Sequence, residues 1–296
     1  MYSIASMTNY KASFISEQVT SGEYYYLNMI PPKMASATVV CGGREQCSPS
    51  YRIDRNGFRF RSIEFVSAGR GTLTMGGLTY PLRAGAIYSY GPHIKHVIQS
   101  DTEYPLIKHF VDFVGSELTD LLETTGLSKN HALYVSRPFR MRSIFENLLQ
   151  TGVQESRHGN TLCVLLLKQI MLYADETALP QQEAFSPAWQ TYLRCRQHIE
   201  RNCLEITSIN QVASECFVDK AYLTRLFQRY AEETPLKLLT RLKMAHAADL
   251  LSKGTLLIKQ VADQLGFADP YHFSRVFKRV YGIPPETFIK TAGRTD

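Results

Sequence analysis

The sequence has no apolar segment long enough to cross a membrane and no leader of the secretory kind. Its longest strongly apolar run, Leu162–Leu172, is interrupted by Lys168 and Gln169 and is shorter than a bilayer requires. The first residues lack the basic stretch followed by an apolar run that marks a signal peptide. We therefore expect a cytoplasmic protein with no membrane partner.

Paired cysteines are also lacking. The six cysteines are scattered, and none forms the Cys-x-x-Cys spacing of a redox or zinc motif. We interpret them as reduced, mostly packed thiols, which suits the cytoplasm. A bridge between Cys41 and Cys47 stays open, although nothing in the sequence requires it.

Net charge is scarce in the first part of the chain. Residues 1–187 contain 17 Lys and Arg against 16 Asp and Glu, whereas residues 188–296 contain 16 against 11. Nearly all of the net charge of +6 therefore belongs to the smaller, carboxy-terminal part. A basic excess attracts a polyanion such as DNA, although many soluble domains reach the same value.

A chain of 296 residues is long enough for two domains. The stretch 178–189, with two prolines, two glutamines and no period, is predicted to be a linker or loop. Before it, residues 61–98 are rich in strand signals, including a hairpin turn at Gly76 and Gly77, and helices are predicted over 117–125, 139–150 and 161–174. We predict an α+β protein with an amino-terminal domain over residues 1–180 and an all-helical domain over residues 187–296.

The segment 266–285 predicts an amphipathic helix with defined ends. Asp269 is a suitable cap and Pro270 suits the first turn, while Gly282 and the prolines after it end the helix. Cations and small polar groups occupy one face. The other face has the i, i+3, i+4, i+7 spacing of a buried stripe and consists of Phe273, Val276, Phe277 and Val280.

The same pattern occurs about 50 residues upstream. The sequence INQVASEC at 209–216 matches IKQVADQL at 258–265, and YLTRLFQR at 222–229 matches HFSRVFKR at 272–279. Each copy predicts a short helix, a tight turn and a second helix, with one long helix over 235–251 between the copies. The second helices expose a hydroxyl followed by an arginine at matching positions, which suits two recognition helices in successive major grooves about 34 Å apart.

These residues resemble the AraC family of bacterial transcription regulators over roughly 188–291, chiefly in the stretch QVADQLGFADPYHFSRVFKRVYGIPPETF. The resemblance implies a double helix-turn-helix domain that binds double-stranded DNA through recognition helices at 220–230 and 270–280. The residues expected to contact DNA are Lys220, Ala221, Thr224, Arg225, Arg229, Tyr271, His272, Ser274, Arg275, Lys278 and Arg279. One departure is Phe217, which stands where the second copy has the turn glycine Gly266. A positive φ there would strain phenylalanine, and a reshaped first turn is the alternative.

The amino-terminal half is similar, less specifically, to the cupin-like effector domain of that family, over the stretch 64–96. The resemblance implies a small barrel that binds an effector, and the expected ligand contacts are Arg59, Glu64, Tyr88 and His96. An arginine and a histidine would suit an anionic or polyhydroxylated molecule. Glu64 and His96 match two of four cupin metal positions, but the paired-histidine slot at 57–60 holds no histidine, so we expect no metal and no cofactor.

Two classes of function remain at this point. The first is an effector-controlled transcription regulator, with a simpler variant in which the barrel serves only to form a homodimer. The apolar helix at 161–174 is the expected dimer contact, and activators of the family also touch RNA polymerase. The second class is a cupin-type metalloenzyme with an accessory DNA-binding domain, which the missing metal histidines oppose; we therefore expect no enzyme activity and no catalytic residues.

Overall fold

The computed structural model describes residues 16–154, 156–254 and 256–292. The chain divides into two compact units, Met1–Ala184 and Phe185–Asp296. Each unit has its own core and is described separately below.

The amino-terminal unit is built on two antiparallel sheets. The strands are β1 Val19–Tyr26, β2 Thr38–Cys47, β3 Arg52–Arg55, β4 Arg61–Ala68, β5 Arg70–Met75, β6 Leu78–Arg83, β7 Ala86–Tyr90, β8 His96–Ser100, β9 Ile107–Val114, β10 Leu133–Val135 and β11 Ala178–Leu179. Among the described residues, the larger sheet has the order β1-β2-β9-β4-β7-β10-β11 and the smaller the order β3-β8-β5-β6. The predicted hairpin is confirmed: β5 and β6 pair through Gly76 and Gly77, which both have the positive φ of such a turn.

Helices cover the outer face of the larger sheet. They are α1 Ser116–Glu123, α2 Pro138–Val153 and α3 Gly159–Glu176, with a 3₁₀ turn at Gly126–Lys129, and they match the three predicted helices closely. Residues of β9 alternate between the two faces, as strand geometry requires. Val111 and Phe113 pack in the apolar core with α2 and α3, while Lys108 and Phe110 line the cleft between the sheets.

The stretch 178–189 was predicted to be a linker or loop, and that prediction is wrong in detail. It contains β11, the short helix α4 Gln181–Ala184 and the start of α5 Pro187–Asn202. Ala178 and Leu179 pair with Val135 and Tyr134 of β10, which ties this stretch into the larger sheet. Backbone pairing across a long sequence separation leaves no periodic signal in so short a segment.

The carboxy-terminal unit is helical throughout its described residues. After α5 come α6 Ile209–Glu215, α7 Lys220–Tyr230, α8 Pro235–Ser252, α9 Ile258–Gln264, α10 Pro270–Tyr281 and α11 Pro285–Ala292. The helix pairs α6–α7 and α9–α10 are the two predicted helix-turn-helix units, and α8 is the predicted long helix between them. Apolar side chains of α8, α9 and α10 form one core, which includes Met244, Val261, Phe273 and Phe277.

Candidate nucleic-acid interface and ligand cleft

The helices α7 and α10 begin with the same cap. Asp219 accepts hydrogen bonds from the backbone N–H groups of Ala221 and Tyr222 at 2.7 and 3.2 Å. Asp269 accepts from those of Tyr271 and His272 at 2.9 and 3.0 Å. Such a cap stabilises a helix start by about 1 kcal/mol, so the two copies fix the first turn of each recognition helix in the same way.

The buried faces follow the repeat with one exception. Leu223, Leu226, Phe227 and Tyr230 of α7 are buried, as are Phe273, Val276 and Phe277 of α10. Val280 was expected in the core, and that expectation is wrong because 41% of its surface is exposed. It lies in the last turn of α10, on the wall of an open groove that Leu236 and Leu239 of α8 also line.

The opposite faces present the residues predicted to contact DNA. In α7, Lys220, Ala221, Arg225 and Arg229 are exposed and Thr224 is half-buried; in α10, Tyr271, His272, Arg275, Lys278 and Arg279 are exposed and Ser274 is half-buried. Both hydroxyls donate to the carbonyl four residues earlier, at 2.9 Å, and therefore stay close to the helix surface. The side chain of Arg275 is 73% exposed.

The turn of the first unit keeps the geometry of the second. Phe217 has φ 53° and Gly266 has φ 75°. The N–H groups of Phe217 and Val218 donate to the carbonyls of Ser214 and Ala213, and those of Gly266 and Phe267 donate to Asp263 and Ala262, all at 2.9–3.0 Å. The turn is therefore not reshaped: phenylalanine adopts the left-handed conformation, with its side chain 94% exposed.

A network of buried charges fills the cleft between the two sheets. The ammonium of Lys108 lies 2.9 Å from Glu45 Oε2 and 3.0 Å from Glu64 Oε2, and all three side chains are almost fully buried. The hydroxyls of Tyr88 and Tyr90 donate to the two oxygens of Glu64 at 2.7 and 2.6 Å. The cavity that remains beside this network is about 30 Å³, which is room for about one water molecule.

The network keeps Lys108 and Glu64 charged. Burial alone would lower the pKa of Lys108, but Glu45 and Glu64 outweigh it and hold that pKa well above its usual range. Burial alone would raise the pKa of Glu64, yet Lys108 and the hydroxyls of Tyr90 and Tyr88 hold it below its usual value. The ammonium of Lys108 and the carboxylate of Glu64 therefore lie charged in the cleft at neutral pH.

Other charged groups line the same cleft. Arg55 lies over the ring of Phe58, with its guanidinium carbon 5.0 Å from the ring centre. Burial raises the pKa of Asp112 to about 7, and the thiol of Cys41 donates to it at 3.4 Å. Cys41 and Cys47 are both free thiols, so no bridge joins them. The cleft therefore holds two cationic side chains, Lys108 and Arg55, and three carboxyls, those of Glu45, Glu64 and Asp112.

The structure brings together three of the four predicted ligand contacts. Glu64 and Tyr88 are hydrogen-bonded, and the ring of His96 stacks on that of Tyr90 with centres 4.0 Å apart. His96 is fully buried, one ring nitrogen meets the carbonyl of Ile94 at 2.9 Å, and burial lowers its pKa. Arg59 is apart from this group: it is exposed and lies over the ring of Phe60.

The predicted ligand contacts did not include Lys108, Glu45 and Tyr90. Their meeting depends on strand register, since β2 and β4 both pair with β9 and carry Glu45 and Glu64 to either side of Lys108. In the described residues, no group of three or more His, Cys, Asp or Glu side chains is arranged to hold a metal ion. Across the same residues, no helix is both long and apolar enough to span a membrane.

Comparison with known proteins identifies both halves of the chain. Residues 40–171 match the family model of the AraC-like ligand binding domain, and residues 212–291 match that of a helix-turn-helix domain. The chain is 23% identical over 251 residues to the Msm operon regulatory protein of Streptococcus mutans, covering 84% of this chain and 90% of the relative. It is also 23% identical over 289 residues to the raffinose operon transcriptional regulatory protein RafR of Pediococcus pentosaceus, covering 92% and 99%.

Two further matches have a lower sequence identity, and one of them is a solved structure. The lactose operon transcription activator of Staphylococcus xylosus is 22% identical over 256 residues, covering 85% of this chain and 91% of the relative. The crystal structure of ToxT from Vibrio cholerae is 12% identical and covers 93% of this chain and 98% of its own, with a TM-score of 0.35. That score is too low to support an argument about the arrangement of the whole chain.

Proposed function

The chain belongs to the AraC family of transcription regulators, and from that premise we propose that a small-molecule effector in its barrel controls how its helix-turn-helix units bind DNA. The observation that carries the DNA-binding part is the repeat. Two recognition helices have the same cap, the same buried stripe and an arginine at the same exposed position, Arg225 and Arg275. A generic helical bundle has no need to repeat an exposed face.

We assign base contacts to some positions along each exposed face and phosphate contacts to others. Arg225 and Arg275, each beside a small hydroxyl residue, are placed to meet guanine in the major groove. Lys278 lies about one turn further from the helix start and is placed to meet phosphate, as are Lys220 and Arg229. Base contacts set the sequence preference, while phosphate contacts hold the register of the protein on DNA.

The effector that suits the barrel best is a neutral, polyhydroxylated molecule such as a sugar. The cleft is lined by two cationic side chains and three carboxyls, so an anionic ligand would find no excess of positive charge there, whereas carboxylates and tyrosine hydroxyls bind ligand hydroxyls well. Relatives of this chain are named as regulators of raffinose and lactose operons. A sugar exceeds the present cavity, so binding must rearrange the network, and this difference between two states is what a ligand-controlled switch requires.

The alternative of a cupin-type metalloenzyme has no support in the described residues. Both oxygens of Glu64, the carboxylate at a cupin metal position, accept hydrogen bonds from Tyr88 and Tyr90, and one also lies 3.0 Å from Lys108. Relatives that cover most of the chain are named as regulators rather than enzymes.

The function is tested by selecting genomic fragments that the full-length protein binds. We expect fragments that share two sequence blocks about one helical turn apart, and an affinity whose logarithm falls linearly with the logarithm of salt concentration. Neutral sugars added to the selected fragment should change the affinity, whereas the same sugars as phosphates should not. Binding that shows no sequence preference at any salt concentration would contradict the proposal.

We also propose that the protein is a homodimer through α3. The inner face of this helix is buried, but its outer face carries Leu162, Leu165 and Leu172, which are 46%, 56% and 54% exposed. Their spacing places them on one side of the helix, where the exposed Gln169 also lies, and a largely apolar exposed patch is typical of a contact with a second copy.

The dimer contact is tested with the double variant Leu165→Glu and Leu172→Glu in the full-length protein. Charges in an apolar contact cannot be solvated, so light scattering should show a monomer at concentrations where the wild type is a dimer. Leu78→Glu, which alters a 62% exposed leucine in the β5–β6 hairpin, is the matched control and should remain dimeric. A double variant that still forms dimers would place the contact elsewhere.

A further inference from the structure

Two cations occupy equivalent positions in the carboxy-terminal unit. Lys243 of α8 donates through Nζ to the carbonyl of Leu265 at 2.7 Å. Arg194 of α5 donates through Nη2 to the carbonyl of Cys216 at 3.2 Å. The two donors are 49 residues apart in the sequence, and so are the two acceptors. The matching residues of α6 and α9 have the same separation. The repeat therefore includes the preceding helices, so that each unit consists of three helices rather than two.

The accepting carbonyls lie at the C-terminal ends of α6 and α9. Cys216 and Leu265 immediately precede the residues with positive φ, Phe217 and Gly266. The hydrogen bonds of the turn itself use carbonyls earlier in the helix, those of residues 213–214 and 262–263. A carbonyl at a helix C-terminus carries part of the negative end of the helix dipole and attracts a cation.

Ordinary ion pairing does not explain these two side chains. Within residues 16–154, 156–254 and 256–292, neither Arg194 nor Lys243 has a carboxylate within ion-pair distance. Lys243 is only 6% exposed, and burial lowers its pKa. Its ammonium lies 3.7 Å from the place that a Cβ on Gly266 would occupy, which puts it against the turn itself. A lysine is rarely buried without such a specific partner.

We propose that Arg194 and Lys243 are positioning residues, each of which fixes the turn that sets the angle of one recognition helix on DNA. Two residues separate the carbonyl of Cys216 from the cap Asp219, and three separate that of Leu265 from the cap Asp269, where α7 and α10 begin. Holding the carbonyl therefore holds the start of the helix that carries Arg225 or Arg275. This inference rests on the proposed function, because it concerns how the two units share the reading of DNA.

The two contacts are unequal. Lys243 is buried and its hydrogen bond is short, whereas Arg194 is exposed and its hydrogen bond is longer. Water competes for an exposed guanidinium, so the first turn is held less firmly than the second. Loss of Lys243 should accordingly affect its block of the operator more than loss of Arg194 affects the other.

The test measures Arg194→Met and Lys243→Met in the full-length protein against a library of single-base changes in the selected operator. Each variant should lose base preference roughly three- to tenfold in the block that its own unit reads, because a tilted helix misaligns its arginine with the base. The other block should keep its preference. Arg194→Lys, which keeps a cation at the exposed position, should restore the preference of the first block.

Matched controls remove a charge from the same helices. Arg201→Met in α5 and Lys237→Met in α8 alter exposed cations and should lower affinity for all library members alike. Melting temperatures show whether each variant is folded, and the exposed Arg194 carries the test if Lys243→Met does not fold. Folded Arg194→Met or Lys243→Met protein that keeps both preferences, or loses both equally, overturns the inference. If the wild-type protein shows no base preference in two blocks of the operator library, the proposed function is wrong. The inference about Arg194 and Lys243 then fails with it.

Discussion

Replacing Lys108 with methionine should lower the free energy of unfolding of the amino-terminal unit by about 3–5 kcal/mol. Methionine has a similar length, so the change removes the charge and little volume. It leaves the carboxylates of Glu45 and Glu64 buried and facing each other across the position of the lost ammonium. An unpaired buried charge costs far more than an exposed ion pair contributes, and here two charges lose their partner together.

The pH dependence gives this prediction a second signature. In the wild type, the pKa of Glu64 lies below its usual value, so its stabilising contribution is present at neutral pH and is lost as the pH falls through that lowered pKa. Without Lys108, burial should raise the pKa of the same carboxyl, and protonation then relieves the variant as the pH falls. The difference in stability between the two proteins should therefore shrink on acidification.

Urea titration of the full-length proteins at several pH values measures both effects. Lys95→Met removes an exposed lysine from the same unit and should change the unfolding midpoint little. A Lys108→Met protein as stable as the wild type at neutral pH would mean that the buried network tolerates its missing ammonium.

Arg275→Ala should weaken binding to the selected operator by about 1–3 kcal/mol and relax base preference at one or two positions. The buried stripe of α10 fixes which side of the helix faces DNA, and Arg275 extends from the exposed side with its guanidinium 4.0 Å from Asp269. This ion pair is exposed and weak, so it does not keep the arginine from a base. Arg225→Ala should have the corresponding effect on the other block, since the first turn keeps its geometry.

Lys278→Ala is the matched control for Arg275→Ala. It removes an exposed cation from the same helix, one turn further along, and should weaken binding to all sequences alike while lowering the salt slope by about one. Both variants are measured against the library of single-base operator changes. If Arg275→Ala loses affinity to the same extent for every member of that library, Arg275 contacts a phosphate, and the face of α10 that we assign to base contacts is wrong.

The helical half could be predicted from the sequence because its signals are local. Caps such as Asp269, the buried stripe of Phe273 and Phe277, and the 50-residue repeat all lie within a few helical turns of the residues they explain. The predicted recognition helix at 220–230 has the observed bounds, and the other ends one residue later than predicted. The prediction for Val280 was wrong because its position borders an open groove beside α8, and the periodicity of α10 does not report on a groove.

The barrel was predicted less completely because its site forms by long-range pairing. Lys108 is one lysine in a strand of alternating residues, and only the register of β2, β9 and β4 places it between Glu45 and Glu64. Arg59 is close in sequence to the cleft residue Phe58, yet it lies in the connection between β3 and β4 and is exposed. Strand register is fixed by the sum of many cross-strand contacts, so it cannot be predicted from any single residue.

Phe217 makes the turn of the first helix-turn-helix copy less stable than the turn of the second copy. Its left-handed backbone costs about 1–2 kcal/mol relative to glycine, and its exposed ring recovers none of that cost through burial in its own unit. The first turn therefore stands closer in free energy to its opened form than the second turn, which has Gly266. With both copies bound to DNA as proposed, we expect the first copy to tolerate an irregular stretch of DNA better than the second.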